Sequence, residues 1–170
     1  GGCWSFTAAT DYWVMAGANE QLNNQTYTME CWIKTNALNQ NGFWFEKGTV
    51  NTQYSFFQEG TNIVHRTNIN GSSDSLYTAS SLLNTSDWFH MVATYDGSTK
   101  RTYVDGVQRS SKSISGTIST NNNQVWIGRY GNGASYQYNG KLAKCNVYNR
   151  ALTADEVETQ FRLDRARFGK

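Results

Sequence analysis

Apolar and polar residues alternate in short segments along most of the chain, and clusters of Gly, Asn, Asp and Ser separate these segments. Alternation with a period of two is typical of β-strands that have one buried face. We predict about a dozen strands, and they lie near 3–7, 11–16, 26–35, 42–47, 52–58, 62–67, 75–79, 87–95, 100–104, 107–112, 124–129 and 139–148. Short strands without intervening helices predict an all-β fold, a two-sheet antiparallel jelly-roll sandwich. We expect it to form one domain over residues 1–170.

The end of the chain departs from this pattern. Thr153 and Glu156 have the spacing of a capping box, in which each side chain bonds the free backbone N–H of the other residue. Acidic residues precede basic ones, as the helix dipole favours. Apolar residues recur at helical spacing, namely Ala154, Val157, Phe161 and Phe168. We predict a short amphipathic helix over about 153–162, packed on the sandwich, and a tail over 163–170.

Two Asp-Gly pairs, Asp96-Gly97 and Asp105-Gly106, lie between strand-like segments. Glycine adopts the positive φ that a tight turn requires, and aspartate bonds its own backbone there. We predict that both pairs are hairpin turns and that Gly106 has a positive φ. A role for the two aspartates in catalysis or metal binding is less favoured, because turn chemistry accounts for both.

The composition agrees with a β-rich surface protein, because 38% of the residues are hydrophobic, 14% are aromatic and only 16% are charged. The formal net charge of +2 is too small to indicate a nucleic-acid partner. No stretch is apolar and long enough to predict insertion into a membrane.

The three cysteines show no metal-ligand spacing. We predict that Cys31 and Cys145 are buried and reduced and pack as small apolar residues. A disulfide between them requires that their strands are neighbours, which the sequence leaves open. Residues expected to share their strand faces are Met29 and Ile33 in the first strand, and Ala143 and Val147 in the second.

Several segments in order resemble one known family. They are YTMECWIK at 27–34, WFHMVATYDG at 88–97 followed by YVDG at 103–106, VWIG at 125–128, YNGKL at 138–142 and VYNRALTADEV at 147–157. Together they resemble the laminin-G-like, concanavalin A-like lectin/glucanase jelly-roll family, which implies two stacked antiparallel sheets. The ending NRALTADEVETQFRLDRARFG also resembles the tails of such domains in phage virion proteins, which implies a virion surface or another extracellular location.

Catalysis is not expected. Glucanases of related fold use closely spaced carboxylates that flank the glycosidic bond. The acidic cluster of this chain lies at the predicted helix start, where capping explains it, and consists of Asp155, Glu156 and Glu158. His65 and His90 have no recognisable Ser or Cys partner, and a structural role is favoured for His90.

Calcium binding is a second property that the resemblance implies, because many members of the family hold Ca²⁺ at one rim of the sandwich. Carboxylates and loop carbonyls suit this ion. Candidate residues are Asp11, Asp74 and Asp87, but the spacing identifies no ligand set.

Two polar loops are candidates for ligand binding. The segment RYGNGASYQYNG at 129–140 combines aromatic rings with amides, and it offers Tyr130, Asn132, Tyr136 and Tyr138. Flat aromatic rings suit the apolar faces of sugars, and amides suit their hydroxyls. Alternatively, Tyr138 begins the next strand and belongs to the core, while the other tyrosines cover a sheet edge. The second loop, 62–75, offers His65 and Arg66.

These observations favour a non-catalytic, surface-displayed binding domain whose partner is a glycan on a host surface. Two alternatives remain at this stage. One is a structural decoration domain of a virion with only protein partners, and the other is a secreted adhesion module. An extended apolar patch favours a protein partner, and a groove lined by aromatic rings favours a glycan.

Overall fold

A computed structural model describes residues 2–6, 13–15, 22–48, 52–131 and 136–170, with 13–15 described as backbone only. Its strands form two antiparallel six-stranded sheets, which confirms the predicted two-sheet fold. The strands are β1 Trp4–Phe6, β2 Trp13–Met15, β3 Tyr27–Thr35, β4 Gln40–Lys47, β5 Tyr54–Gly60, β6 Asn62–Ile69, β7 Ser72–Ala79, β8 Phe89–Tyr95, β9 Thr99–Val104, β10 Val107–Ser113, β11 Val125–Ile127 and β12 Gly140–Tyr148. The first sheet has the order β1-β12-β3-β8-β9-β10, and the second has the order β2-β11-β4-β5-β6-β7.

The main core lies between the two sheets and follows the predicted alternation. In β3, the side chains of Met29, Cys31 and Ile33 all point into it, while Tyr54 and Phe56 reach it from β5 of the opposite sheet. Because such side chains are removed from water on folding, this layer supplies most of the hydrophobic stabilisation of the sandwich. No helix in the described part of the chain is both long and apolar enough to cross a membrane.

The last strand departs from the predicted alternation at a β-bulge. The register passes from Ala143 opposite Trp32 to Asn146 opposite Glu30, so the bulge adds one residue to β12. Lys144 within it has a φ of +49°. The prediction that Ala143 and Cys145 share a face is therefore wrong. Ala143 packs with Trp32 on the outer face of the first sheet, whereas Cys145 and Val147 face the core.

Helix α1, Ala154–Asp164, has the predicted capping box at Thr153 and Glu156. The prediction of a tail after it is wrong, because a 3-10 turn follows at Arg165–Phe168. The ring of Phe168 stacks on Trp32 at 4.2 Å between centroids, and the ring of Phe161 lies 5.9 Å from the same indole. This aromatic stack fixes the C-terminal segment on the outer face of the first sheet.

A buried polar cluster centred on Glu30 lies on the same face. One carboxylate oxygen of Glu30 lies 2.9 Å from Nε2 of His90, and the other accepts hydrogen bonds from Tyr148 at 2.6 Å and Asn146 at 3.2 Å. Burial by itself raises the pKa of Glu30, but these hydrogen bonds and the interaction with His90 outweigh it, and the pKa is lowered overall. His90 therefore has the structural role that the sequence favours.

The two predicted hairpin turns are present. Gly97 and Gly106 have φ values of +95° and +78°. Asp96 bonds its own turn, since it accepts from the backbone N–H groups of Ser98 and Thr99. Asp105 does not, because its carboxylate accepts from the backbone N–H of His90 and from Lys170. The second turn is therefore tied to strand β8 and to the end of the chain.

We predict that Gly106→Ala destabilises the protein more than Gly71→Ala. The two glycines have nearly the same φ, +78° and +79°. An added Cβ at Gly106 would lie 3.2 Å from Phe161, whereas one at Gly71 would have no described atom within 4 Å beyond the glycine and its two chain neighbours. Strain at positive φ alone costs about 1 kcal/mol. Urea unfolding should show a loss of this order for Gly71→Ala and a larger loss for Gly106→Ala. Equal losses would show that Phe161 does not hold α1 against the turn.

We also predict that Glu30→Gln removes part of the dependence of stability on pH. A carboxylate whose pKa is lowered by folding stabilises the protein above its unfolded value of about 4.3, and this contribution is lost as the pH falls through the folded value. The variant should lose about 2 kcal/mol at pH 7, and the difference from the original chain should narrow at pH 3. Urea unfolding at both pH values measures this, with the exposed Glu158→Gln as the control. A difference that does not change between the two pH values would contradict the prediction.

Candidate ligand-binding site

A pocket of about 230 Å³ opens on the outer face of the second sheet. This volume is below the range of about 300–1,000 Å³ for drug-sized ligands, so the pocket suits a ring-sized group. Strands β4, β5 and β6 supply its floor, and two tyrosines that lie between β11 and β12 in the sequence, Tyr130 and Tyr136, supply its wall. The lining residues are Asn41, Phe43, Phe57, Glu59, Arg66, Tyr130 and Tyr136.

The floor is a pair of stacked phenylalanine rings. Phe43 lies opposite Phe57 in the register of β4 and β5, and their rings are 4.1 Å apart and 4° from parallel. A bulge in β4 follows Phe43, so that Trp44 and Phe45 both enter the main core while Phe43 points outward. Val64 of β6, opposite Phe57, completes this outer apolar layer.

The wall is formed by two tyrosines. The ring of Tyr130 lies 5.0 Å from Phe43 and meets the ring of Tyr136 edge to face at 6.0 Å. The backbone carbonyl of Tyr136 accepts a hydrogen bond from the N–H of Phe43, which anchors Tyr136 to the sheet. Tyr136 is 51% exposed, so it presents a large aromatic surface to solvent beside the floor.

Arg66 and Glu59 form the polar rim. The guanidinium of Arg66 lies over the ring of Phe57 at 4.6 Å, and its Nε donates to the hydroxyl of Ser75 at 3.3 Å. A carboxylate oxygen of Glu59 lies 3.8 Å from the guanidinium of Arg66, at the outer limit of an ion pair. The rim therefore places hydrogen-bond donors and acceptors side by side next to the aromatic floor.

A second carboxylate nearby does not neutralise Arg66. Glu46 is buried on β4, and this burial raises its pKa to about 8, although the hydroxyl of Thr52 and the charge of Arg66 lower it. Its side chain is therefore protonated at neutral pH. Glu59, half exposed, is left as the carboxylate that faces Arg66 in the pocket.

The structure brings together three of the residues that the sequence singled out, Tyr130, Tyr136 and Arg66. Two others belong to the core. Tyr138 is buried with its ring against Trp44, as the alternative interpretation of its position proposed, and His65 is buried with Nε2 at 2.7 Å from the hydroxyl of Tyr27. Neither is available to a ligand. Asn132 lies outside the described residues.

Sequence reasoning missed the other lining residues, Asn41, Phe43, Phe57 and Glu59. A signal for two of them was present, since GFWF in β4 and YSFF in β5 contain adjacent aromatic residues. A strand with aromatic side chains on consecutive positions has apolar groups on both faces. One of those faces must then be covered, or must contact a ligand.

The two calcium candidates in the described part of the chain, Asp74 and Asp87, do not form a metal site there. Both carboxylate oxygens of Asp74 accept from lysines, Lys100 and Lys112, which leaves no charge for a cation. Asp87 accepts from the amide of Asn84, and Asp11 lies outside the described residues. Within the described ranges, no three His, Cys, Asp or Glu residues are grouped as metal ligands.

A larger groove of about 740 Å³ lies between the β9–β10 turn and α1. Its lining is mainly polar and charged, and Arg162 is already paired with Glu158 across one turn of the helix. Phe161 is the only aromatic residue among those that line it. It therefore lacks the stacked floor that makes the smaller pocket the better candidate.

Comparison with solved structures finds the same fold in several binding proteins. The CBM40 domain of the Ruminococcus gnavus IT-sialidase, solved with α2,3-sialyllactose, has a TM-score of 0.71 at 13% identity, over 94% of this chain and 96% of that one. The receptor-binding domain of botulinum neurotoxin type G has a TM-score of 0.67 at 16% identity, over 96% of this chain and 47% of that one. A putative carbohydrate-binding protein of Bacteroides ovatus has a TM-score of 0.69 at 16% identity, over 88% and 44%.

This chain spans about half the length of the last two proteins. At these identities the likeness concerns the fold. A comparison with curated proteins found no match. Residues 8–158, however, match the sequence pattern of one family directly. The chain belongs to the concanavalin A-like lectin/glucanase superfamily.

Proposed function

We propose that this protein is a non-catalytic binding domain that holds one ring of a glycan in the pocket between Phe43, Tyr130 and Tyr136. The observation that carries the proposal is the combination of an exposed aromatic wall with an Arg–Glu rim in one small pocket. The apolar face of a sugar ring packs on the aromatic surface of Tyr136. Its hydroxyls, which both donate and accept, match the guanidinium of Arg66 and the carboxylate of Glu59.

The wall also suits binding on energetic grounds. Tyrosine presents a large rigid surface and loses little conformational entropy when a ligand orders it. The stacked Phe43 and Phe57 rings beneath it are already packed, and the segment of Tyr136 is bonded to β4. A pocket formed in advance of binding avoids part of the ordering cost of association.

A binding role is favoured over hydrolysis because the described lining contains a single carboxylate, Glu59. Cleavage of a glycosidic bond needs two, one as the acid and one as the nucleophile or base. The other carboxyl groups of the second sheet, those of Asp74 and Glu46, are not free to act as the second catalytic group. Asp74 is bonded to two lysines, and Glu46 is buried beneath the surface.

The solved structures of similar fold support a glycan as the ligand, since they include the sialyllactose complex of the Ruminococcus domain. A protein partner is less favoured. The large apolar side chains exposed in the described part of the chain come from separate elements, such as Leu38, Leu82, Val107 and Leu163. The setting that we propose, the surface of a phage virion or another extracellular surface, is supported by the resemblance of the C-terminal sequence.

We predict that Tyr136→Ala and Arg66→Gln each weaken glycan binding at least about tenfold, equivalent to about 1.4 kcal/mol. Tyr136 supplies the exposed face of the wall, and Arg66 supplies the donors of the rim. A glycan array probed with the labelled chain identifies the bound sugars, and titration calorimetry with the best of them measures each variant.

The matched control is Leu163→Ala, which also shortens a large exposed side chain but lies on α1, against the other sheet. It should bind as the original chain does, and Tyr136→Ala should change the free energy of unfolding by less than about 0.5 kcal/mol. Unchanged sugar affinity in both pocket variants would exclude this pocket. Failure of the original chain to bind any glycan on the array would count against the glycan itself.

A further inference from the structure

The two buried cysteines lie opposite each other on neighbouring strands. Cys31 is in β3 and Cys145 is in β12, and these strands are paired in the first sheet. Glu30 and Trp32, on either side of Cys31, pair with Asn146 and Ala143, so Cys31 alone faces the two bulge residues Lys144 and Cys145. The condition that the sequence left open for a disulfide, adjacency of the two strands, is therefore met.

Both side chains point to the same side of the sheet, into the main core. The two thiols are free. Where the ladder is regular, opposed Cα atoms on antiparallel strands are about 4.5–5.5 Å apart, and a disulfide spans about 4.4–6.8 Å, so paired strands have a spacing that a disulfide can bridge. Cys3, by contrast, is exposed on the surface.

We propose that Cys31 and Cys145 are a redox pair that oxidation joins in an intrachain disulfide across β3 and β12. The oxidant is a small disulfide of the glutathione class. The Cys145 thiolate attacks one sulfur of this oxidant, and a first small thiol leaves. The Cys31 thiolate then attacks the Cys145 sulfur in the mixed disulfide, and a second small thiol leaves. The protein loses two protons and two electrons, and the S–S bond of the oxidant takes them up.

In the folded protein, the reduced and the disulfide-bonded form of the cysteine pair are both protected from thiol–disulfide exchange. Burial, and then the neighbouring Cys145 thiol, raise the pKa of Cys31, and the thiolate is the reactive form. Exchange is therefore slow in the native state and proceeds while the chain folds or opens. The redox conditions during folding then decide whether the pair is bonded.

The bond would constrain two parts of the molecule. It closes a long stretch of sequence between positions 31 and 145, and long loops give a crosslink its largest effect on the unfolded chain. It also fixes the bulge, whose Lys144 donates to the carboxylate of Asp164 at the end of α1 at 2.5 Å. The disulfide would therefore restrain β12, the strand that is joined to α1 by the bond between Lys144 and Asp164.

The test uses the full chain with Cys3→Ser, which removes the exposed thiol and leaves the pair. The protein is unfolded in guanidinium, refolded in a mixture of reduced and oxidised glutathione, quenched with acid and alkylated under denaturing conditions. Intact mass counts the alkylated and glutathione-bearing cysteines. Trypsin then releases peptide 145–150, which in a bonded protein is attached to the peptide that ends at Lys34. A sample kept unfolded in the same glutathione mixture gives the level of pairing without the fold.

We expect neither cysteine of the refolded protein to be alkylated or bound to glutathione, and the two peptides to be joined. The melting temperature should exceed that of the reduced protein by roughly 5 °C or more. Cys3→Ser with Cys145→Ser should leave Cys31 free or glutathione-bound. Two alkylated cysteines after oxidative refolding, stable glutathione adducts, pairing no greater than in the unfolded sample, or a lower melting temperature in the bonded form would each overturn the proposal.

Discussion

The central strands of this sandwich are buried on both faces, and this constraint determines most of the remaining structure. Every residue of β8 is buried, as is nearly every residue of β3, although only alternate side chains can reach the layer between the sheets. The outer side chains must therefore be covered by something other than the opposite sheet. The outer side chains are covered in a different way in each of the two sheets.

The first sheet is covered by its own C-terminal segment. Phe161 and Phe168 lie on Trp32, and in the Glu30 cluster beneath them both carboxylate oxygens of Glu30 have partners within the protein. Polar groups removed from water must find partners, so a carboxylate with three hydrogen bonds fits where an unpaired one would not. The second sheet instead stacks Phe43 on Phe57 and leaves a pocket open between them and the tyrosines. The helix thus covers the outer face of the first sheet, and the outer face of the second sheet carries the candidate pocket.

The sequence predicts those features of the structure that depend only on residues close together along the chain. The period of two places the strands, and the capping box places the start of α1, because both depend on residues a few positions apart. It also finds Tyr130, Tyr136 and Arg66, whose residue types suit a ligand. The sequence does not show that the side chain of His65 points into the core while that of Arg66, the next residue, points to the outer face of the sheet. Inward or outward direction along a strand depends on which sheet lies on which side, and that is a property of the tertiary fold.

At two β-bulges, side chains lie on a different face of the sheet from the face that regular alternation predicts. Between Phe43 and Phe45, a bulge sends two successive aromatic residues into the core and leaves Phe43 on the outer face, where it becomes the pocket floor. Between Ala143 and Asn146, a second bulge turns Cys145 inward against Cys31. A strict period of two would have placed Phe45 on the same face as Phe43, and Ala143 on the same face as Cys145. Since a bulge inserts one residue and re-aims those that follow, both the candidate pocket and the thiol pair depend on a local break in the rule that builds the rest of the sandwich.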